Sequence, residues 1–169
     1  NKVLTDVYIP ENVMTVRPGA FCDNEAPLNV YFSGYKTRQG FEGYNLMRKM
    51  GSPFLLIAEP RLEGGCFYMG DEEYENLLSG IIQKHMKELN FTSNEVVMAG
   101  LSMGTFGAMY YGCDILPHAI LLGKPLASIG NVAGNERISR PGGFATSLDV
   151  LNYVSSGTNE VAVENLNKK

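Results

Sequence analysis

At 169 residues the chain has the length of one domain with a sizeable core, and 44% hydrophobic against 19% charged residues is ordinary globular composition. A formal net charge of −4 gives no electrostatic footprint for nucleic acid or for an anionic membrane surface. Cys22, Cys66 and Cys113 are odd in number and form no C-x-x-C pair, which points to reduced thiols in a cytosolic setting and to no metal site. No apolar run approaches the roughly twenty residues of a membrane-spanning helix, so no transmembrane segment is expected.

Residues 1–20 alternate loosely, with Val7–Ile9 and Val13–Val16 on either side of Pro10-Glu11-Asn12, and predict a β-hairpin followed by a loop to residue 27. Leu28–Ser33 is a strand rich in β-formers that ends at Gly34. Phe41, Tyr44 and Met47, with Leu46 and Met50, have the spacing of a short helix stopped by Gly51-Ser52-Pro53. Phe54–Ala58 is a continuous apolar run of the kind found in internal parallel strands, and Glu59, Pro60 and Arg61 follow at its carboxyl end. Glu59 or Arg61 could touch a substrate there; a surface ion pair is the plainer reading.

Asp71 is a good N-cap for a helix whose first turns hold Glu72, Glu73 and Glu75. Tyr74, Leu77, Leu78, Ile81, Ile82, Met86 and Leu89 make its apolar stripe, with His85 in the middle as a core histidine.

Val96–Ala99 is a short apolar run, read as buried on both faces, and Gly100-Leu101-Ser102-Met103-Gly104 follows directly. That pentad is a G-x-S-x-G nucleophile elbow, in which a strained strand-to-helix turn lifts a serine hydroxyl above the sheet edge. The bare motif is weakly specific in a chain with 19 glycines; a strand before it and a small-residue helix over Thr105–Tyr111 supply the context it needs. Gly100 and Gly104 are required because a Cβ at either would collide with neighbouring backbone. The alternative is a glycine-rich turn whose serine only caps the helix. If Ser102 is a nucleophile, the Met103 N–H and the Tyr35 N–H, at the end of the earlier strand, are the oxyanion donors.

Ala119–Gly123 reads as the next buried strand, with His118 at its far end from the serine. Lys124–Gly143 is a glycine-rich loop containing Arg137 and Arg140, Phe144–Val154 is helical, and Ser155–Lys169 is polar. The alternation through 28–123 implies an α/β fold, a mainly parallel sheet with helices on both faces, in a single domain spanning 1–169.

Together the elbow, the Ser33-Gly34-Tyr35 turn, Gly40–Tyr44 and Arg140–Ser147 make the chain resemble the α/β-hydrolase portion of the second accessory Sec-system protein family, over most of residues 28–150. That family serves the Gram-positive apparatus exporting serine-rich-repeat glycoprotein adhesins. The resemblance implies a serine-dependent O-acetyltransferase acting on N-acetylglucosamine of the adhesin, with Ser102 matching the nucleophile. It further implies a cytoplasmic protein, membrane-associated through the other accessory Sec proteins as partners. No cofactor is implied, and the acyl donor stays open.

In this fold the acid and the histidine follow the serine. After Ser102 only His118 remains, at the wrong edge, while Asp149 and Glu136 read as helix and loop surface. The start at Asn1 also suggests a piece of a longer protein, truncated before the last strands of the fold, so the triad acid and histidine are expected beyond residue 169 and the chain alone is expected to be inactive. A plain serine esterase or lipase, and a non-catalytic export scaffold, are the rival readings.

Overall fold

The computed structural model describes residues 16–17, 26–34, 41–59, 67–70, 72–129 and 131. In chain order these form β1 (Val16–Arg17), β2 (Leu28–Phe32), α1 (Tyr44–Met50), β3 (Phe54–Ile57), α2 (Glu72–Glu88), β4 (Val96–Leu101), α3 (Met103–Ile115) and β5 (Ala119–Gly123). The sheet order is β1-β3-β2-β4-β5. β2 pairs in parallel with both β3 and β4, β4 pairs in parallel with β5, and β1 alone runs antiparallel, against β3.

This is the mainly parallel α/β architecture, with helices on both faces, expected from the apolar runs. β2 and β3 are buried along their whole length, as central parallel strands covered on both faces must be. One face carries Leu28, Val30, Phe32, Leu55, Ile57, Val96 and Met98 against Leu78, Ile81, Ile82 and Met86 of α2 and Met103, Tyr111 and Ile115 of α3. The other packs Tyr31, Phe54 and Leu56 against Tyr44 and Met47 of α1. Burial of each large side chain contributes about 1.5–3 kcal/mol, so the two clusters together set the layer order.

Three expectations change in detail. β4 alternates, with Val96 and Met98 buried and Val97 and Ala99 only half-buried, because α2 and α3 fill one face more completely than α1 fills the other. β5 is not buried: as an edge strand of the described sheet it leaves Leu121 60% exposed. Leu77 also leaves the α2 stripe for solvent, since the core contacts of that helix fall on Leu78, Ile81, Ile82, His85 and Met86. The first arm of the hairpin, the Asp71 cap, Arg61, Cys22, Cys66 and the helix over residues 144–154 lie outside the described residues. No described helix is long and apolar enough to cross a membrane.

His85 is a core histidine, buried beside Met86, with Nδ1 3.4 Å from the Glu88 carboxylate. Burial holds its pKa below the usual imidazole value despite that carboxylate, which pulls the other way. The unfolded chain therefore binds a proton that the folded chain resists, so this group's contribution to stability is complete above about pH 6.5 and lost as pH falls below it. A His85→Leu variant is expected to flatten that slope: its melting temperature relative to the parent should rise as pH is lowered from about 7 to 5.5, checked by thermal denaturation across that range.

Candidate active site

The strand order reverses at β2. The chain leaves β2 for β3 on one side, then crosses back over β2 to form β4 on the other. Open α/β sheets bind ligands at such a switch point, outside the carboxyl ends of the two diverging strands. Here those ends are Ser33-Gly34 and Leu101-Ser102, and Phe32 pairs with Gly100 so that they lie side by side.

Ser102 occupies the single residue between β4 and α3, with φ 54° and ψ −117°. A non-glycine residue held at positive φ costs about 1–3 kcal/mol and persists only where its surroundings impose it. The imposing contacts are explicit. Ser102 N–H donates to the Gly123 carbonyl at 2.8 Å, and the Ser102 carbonyl accepts from the Thr105 N–H at 3.0 Å and from Thr105 Oγ1 at 2.5 Å. The fully buried Thr105 hydroxyl in turn accepts the Leu126 N–H at 3.0 Å, tying the turn to the segment after β5. Both backbone groups of Ser102 are thus spent, and its side chain makes no capping hydrogen bond to α3. The helix-cap reading of this serine fails on that point.

The glycines explain how so tight a turn is built. A Cβ on Gly100 would stand 2.1 Å from the Gly104 carbonyl oxygen, and one on Gly104 would stand 2.0 Å from the Phe32 oxygen. Only glycine permits α3 to start this close to β2 and β4. The approach brings the amino end of α3 to the switch point, with the Met103 and Gly104 N–H groups in the first turn, where helix donors lack intrahelical acceptors. No acidic side chain occupies that turn, in contrast to α2 with Glu72, Glu73 and Glu75. The positive end of the helix is therefore not offset by a carboxylate of its own first turn.

Tyr35 lies outside the described residues; the Ser33–Gly34 peptide before it is hydrogen-bonded at both ends. The Ser33 carbonyl accepts the Tyr68 hydroxyl at 2.6 Å, and the Gly34 N–H donates to the Glu42 carboxylate. Tyr68 also donates to the Ile57 carbonyl at 3.1 Å, and its own carbonyl accepts the Tyr111 hydroxyl of α3 at 2.7 Å. Burial, with the Glu59 carboxylate behind it, pushes the Tyr68 phenol well above its usual range; burial and Glu42 push Tyr31 up to about 12. Both rings therefore stay protonated hydrogen-bond donors. Sequence reading missed Glu42 and Tyr68, and it missed Ser33, whose Oγ is buried at the same edge without a hydrogen-bond partner among the described residues. Glu59 sits there too, buried rather than on a solvated loop.

Both histidines of the chain are remote. His118 is exposed, and its N–H is held by the Ser93 and Val96 carbonyls at the amino end of β4, about 15 Å of strand from Ser102. His85 belongs to the last turns of α2, next to the loop that leads into that same edge. Among the described residues no group of three or more potential ligands could hold a metal.

The sequence model of the accessory Sec system GspB-transporter family matches residues 3–169. The chain belongs to that family. Two similar relatives are accessory Sec system proteins, one from Staphylococcus aureus, 50% identical over 147 residues covering 87% of this chain, and one from Streptococcus gordonii, 44% identical over 168 residues covering 99%. The chain spans only 28% and 32% of those two relatives. Among solved structures it is similar to the Glycosylation Associate Protein complex from Streptococcus agalactiae, with a TM-score of 0.81 and 47% identity over 86% of this chain and 28% of that one. It shares the fold of a capsule O-acetyltransferase of Neisseria meningitidis serogroup A, with a TM-score of 0.70 at 15% identity, covering 99% of this chain and 67% of that one.

Replacing Ser102 with glycine should relieve the positive-φ strain, so a Ser102→Gly variant is expected to gain about 1 kcal/mol of stability, measured by chemical denaturation. An unchanged or lowered midpoint would mean that the turn is not strained at this residue.

Proposed function

We propose that the full-length protein is an accessory Sec-system component that transfers acetyl groups, through Ser102, to N-acetylglucosamine of an exported serine-rich-repeat glycoprotein adhesin. The observation that carries the reaction class is the Ser102 turn, with a positive-φ serine, both backbone groups engaged, and a hydroxyl free of the helix it precedes. In acyl transfer that hydroxyl attacks the acyl carbonyl, an acyl-serine forms with loss of the donor's leaving group, and a sugar hydroxyl then takes the acyl group. The Met103 N–H, at the amino end of α3, and the Tyr35 N–H, next along from the pinned Gly34, would receive the oxyanion.

Family membership supports the export role, and the shared fold of a capsule O-acetyltransferase fits a sugar as acceptor. Its relative in the Streptococcus agalactiae complex favours other accessory Sec proteins as partners. A cytoplasmic location follows from the same reading, and the acyl donor stays open.

An isolated serine hydroxyl is a weak nucleophile and needs a base within about 3 Å or through one water. His85 and His118 are too far away, so on this reading the triad histidine, and the acid with it, come from the parts of the relatives' length that this chain does not span. In the full-length protein, Ser102→Ala should abolish turnover of p-nitrophenyl acetate and acetylation of the adhesin glycan. Residues 1–169 alone should retain at most the residual 10³- to 10⁴-fold acceleration that binding and an oxyanion hole leave in a serine protease stripped of its triad. Unchanged adhesin acetylation with Ser102→Ala would favour the scaffold reading. Turnover of the ester without any transfer to sugar would favour a plain esterase.

A further inference from the structure

The segment that leaves β5 is tied to the Ser102 turn at two points. The Gly123 carbonyl accepts the Ser102 N–H at 2.8 Å, and the Leu126 N–H donates to Thr105 Oγ1 at 3.0 Å. Lys124 and Pro125 lie between those ties, and both are exposed. Lys124 has a φ of 54°. A residue before proline is pushed toward extended backbone, and a lysine has no side-chain group that favours the left-handed region, so the two ties impose this conformation and the residue does not. Glycine would hold the same turn without strain. A strained residue that keeps a long charged side chain beside a candidate nucleophile marks that side chain as one in use.

The position of its charge sets Lys124 apart from the other described lysines and arginines. Arg17 stands opposite Phe54, the first residue of β3; Arg48 and Lys49 end α1 just before β3; Lys84 and Lys87 lie in the last turns of α2, which lead to the start of β4. All five belong to the amino edge of the sheet. Lys124 follows the last residue of β5, at the carboxyl edge with Ser102. The ion pairs among the described residues engage Lys84 and His85, both with Glu88, and leave Lys124 unengaged. A lysine is a compact point charge on a flexible stem, suited to phosphate more than to an uncharged hydroxyl. The acceptor in the proposed reaction is an uncharged sugar hydroxyl, which leaves the acyl donor as the reactant that carries an anion. We infer that Lys124 is a specificity-determining residue, which binds the phosphate of a phosphate-bearing acyl donor while the donor's acyl carbon lies at Ser102. It forms no bond to the acyl group and moves no proton. The inference rests on the reading of Ser102 as nucleophile and names the class of donor for that same site.

Pyrophosphate serves as the anionic probe and p-nitrophenyl acetate as a neutral acyl donor, both with the full-length protein. Pyrophosphate should raise KM for the ester without changing kcat. Lys124→Gln should raise its inhibition constant about tenfold, the scale of one lost charge-assisted hydrogen bond. Lys124→Arg keeps the cation and should stay within about threefold of the parent. With the ester alone, both variants should keep kcat and KM within about twofold of the parent, because a neutral donor gives the ammonium no anion to hold. A parent insensitive to pyrophosphate, or a Lys124→Gln variant inhibited as strongly as the parent, overturns the inference. So does a loss of kcat for the ester alone in Lys124→Gln, which would place the lysine at the reacting carbonyl. Ser102→Ala is run alongside. If it keeps full turnover, the nucleophile reading and this inference both fall; if it is dead while pyrophosphate inhibits Lys124→Gln and the parent equally, only the inference falls.

Discussion

The approach of α3 to the carboxyl ends of β2 and β4 is the constraint on which the rest of the site depends. It is a contact between backbones, with no room for a side-chain carbon at Gly100 or Gly104. Because helix and strands meet without intervening side chains, the chain must reverse within one residue, and Ser102 is driven to positive φ. The hydrogen bonds to Gly123 and Thr105 then keep it there. A serine on an ordinary helix start would be drawn into capping its own helix; here the geometry withholds that partner and leaves the hydroxyl to other chemistry.

Around this turn the protein builds rigidity largely from tyrosine hydroxyls. Tyr111 and Tyr68 link α3 to the ends of β2 and β3 through hydrogen bonds buried in an aromatic cluster, with Phe32 edge-on to Tyr68 and stacked on Tyr111. Tyr110 ties the same helix to α2 through Glu75, which also accepts the Gly70 N–H. Hydroxyls held neutral by burial can donate to carbonyls across the accessible pH range, so the Tyr68 and Tyr111 links to backbone carbonyls do not loosen with protonation as an ion-pair network would.

Much of this was legible from the chain. The four parallel strands, the three helices, the glycine pair and the remote histidines all follow from apolar runs, spacing and local turn chemistry, because those signals are carried by neighbours in sequence. The hydrogen bonds that hold the Ser33–Gly34 peptide were not legible. Glu42 lies 8 residues from Gly34 and Tyr68 lies 35 from Ser33, and nothing local marks a glutamate before a short helix or a tyrosine in a turn as bound to a strand end. The exposure of β5 was missed for a related reason: Ala119–Gly123 is as apolar as an internal strand, and whether such a run lies at an edge is decided by what else joins the sheet.

Covalent labelling at Ser102 tests the central claim most directly. Full-length protein treated with an active-site-directed fluorophosphonate and digested for tandem mass spectrometry should carry the adduct on Ser102, since this reagent reacts with a serine that is both activated and served by an oxyanion hole. An adduct on another serine, or an unmodified Ser102 under conditions in which the protein turns over ester, would contradict the account.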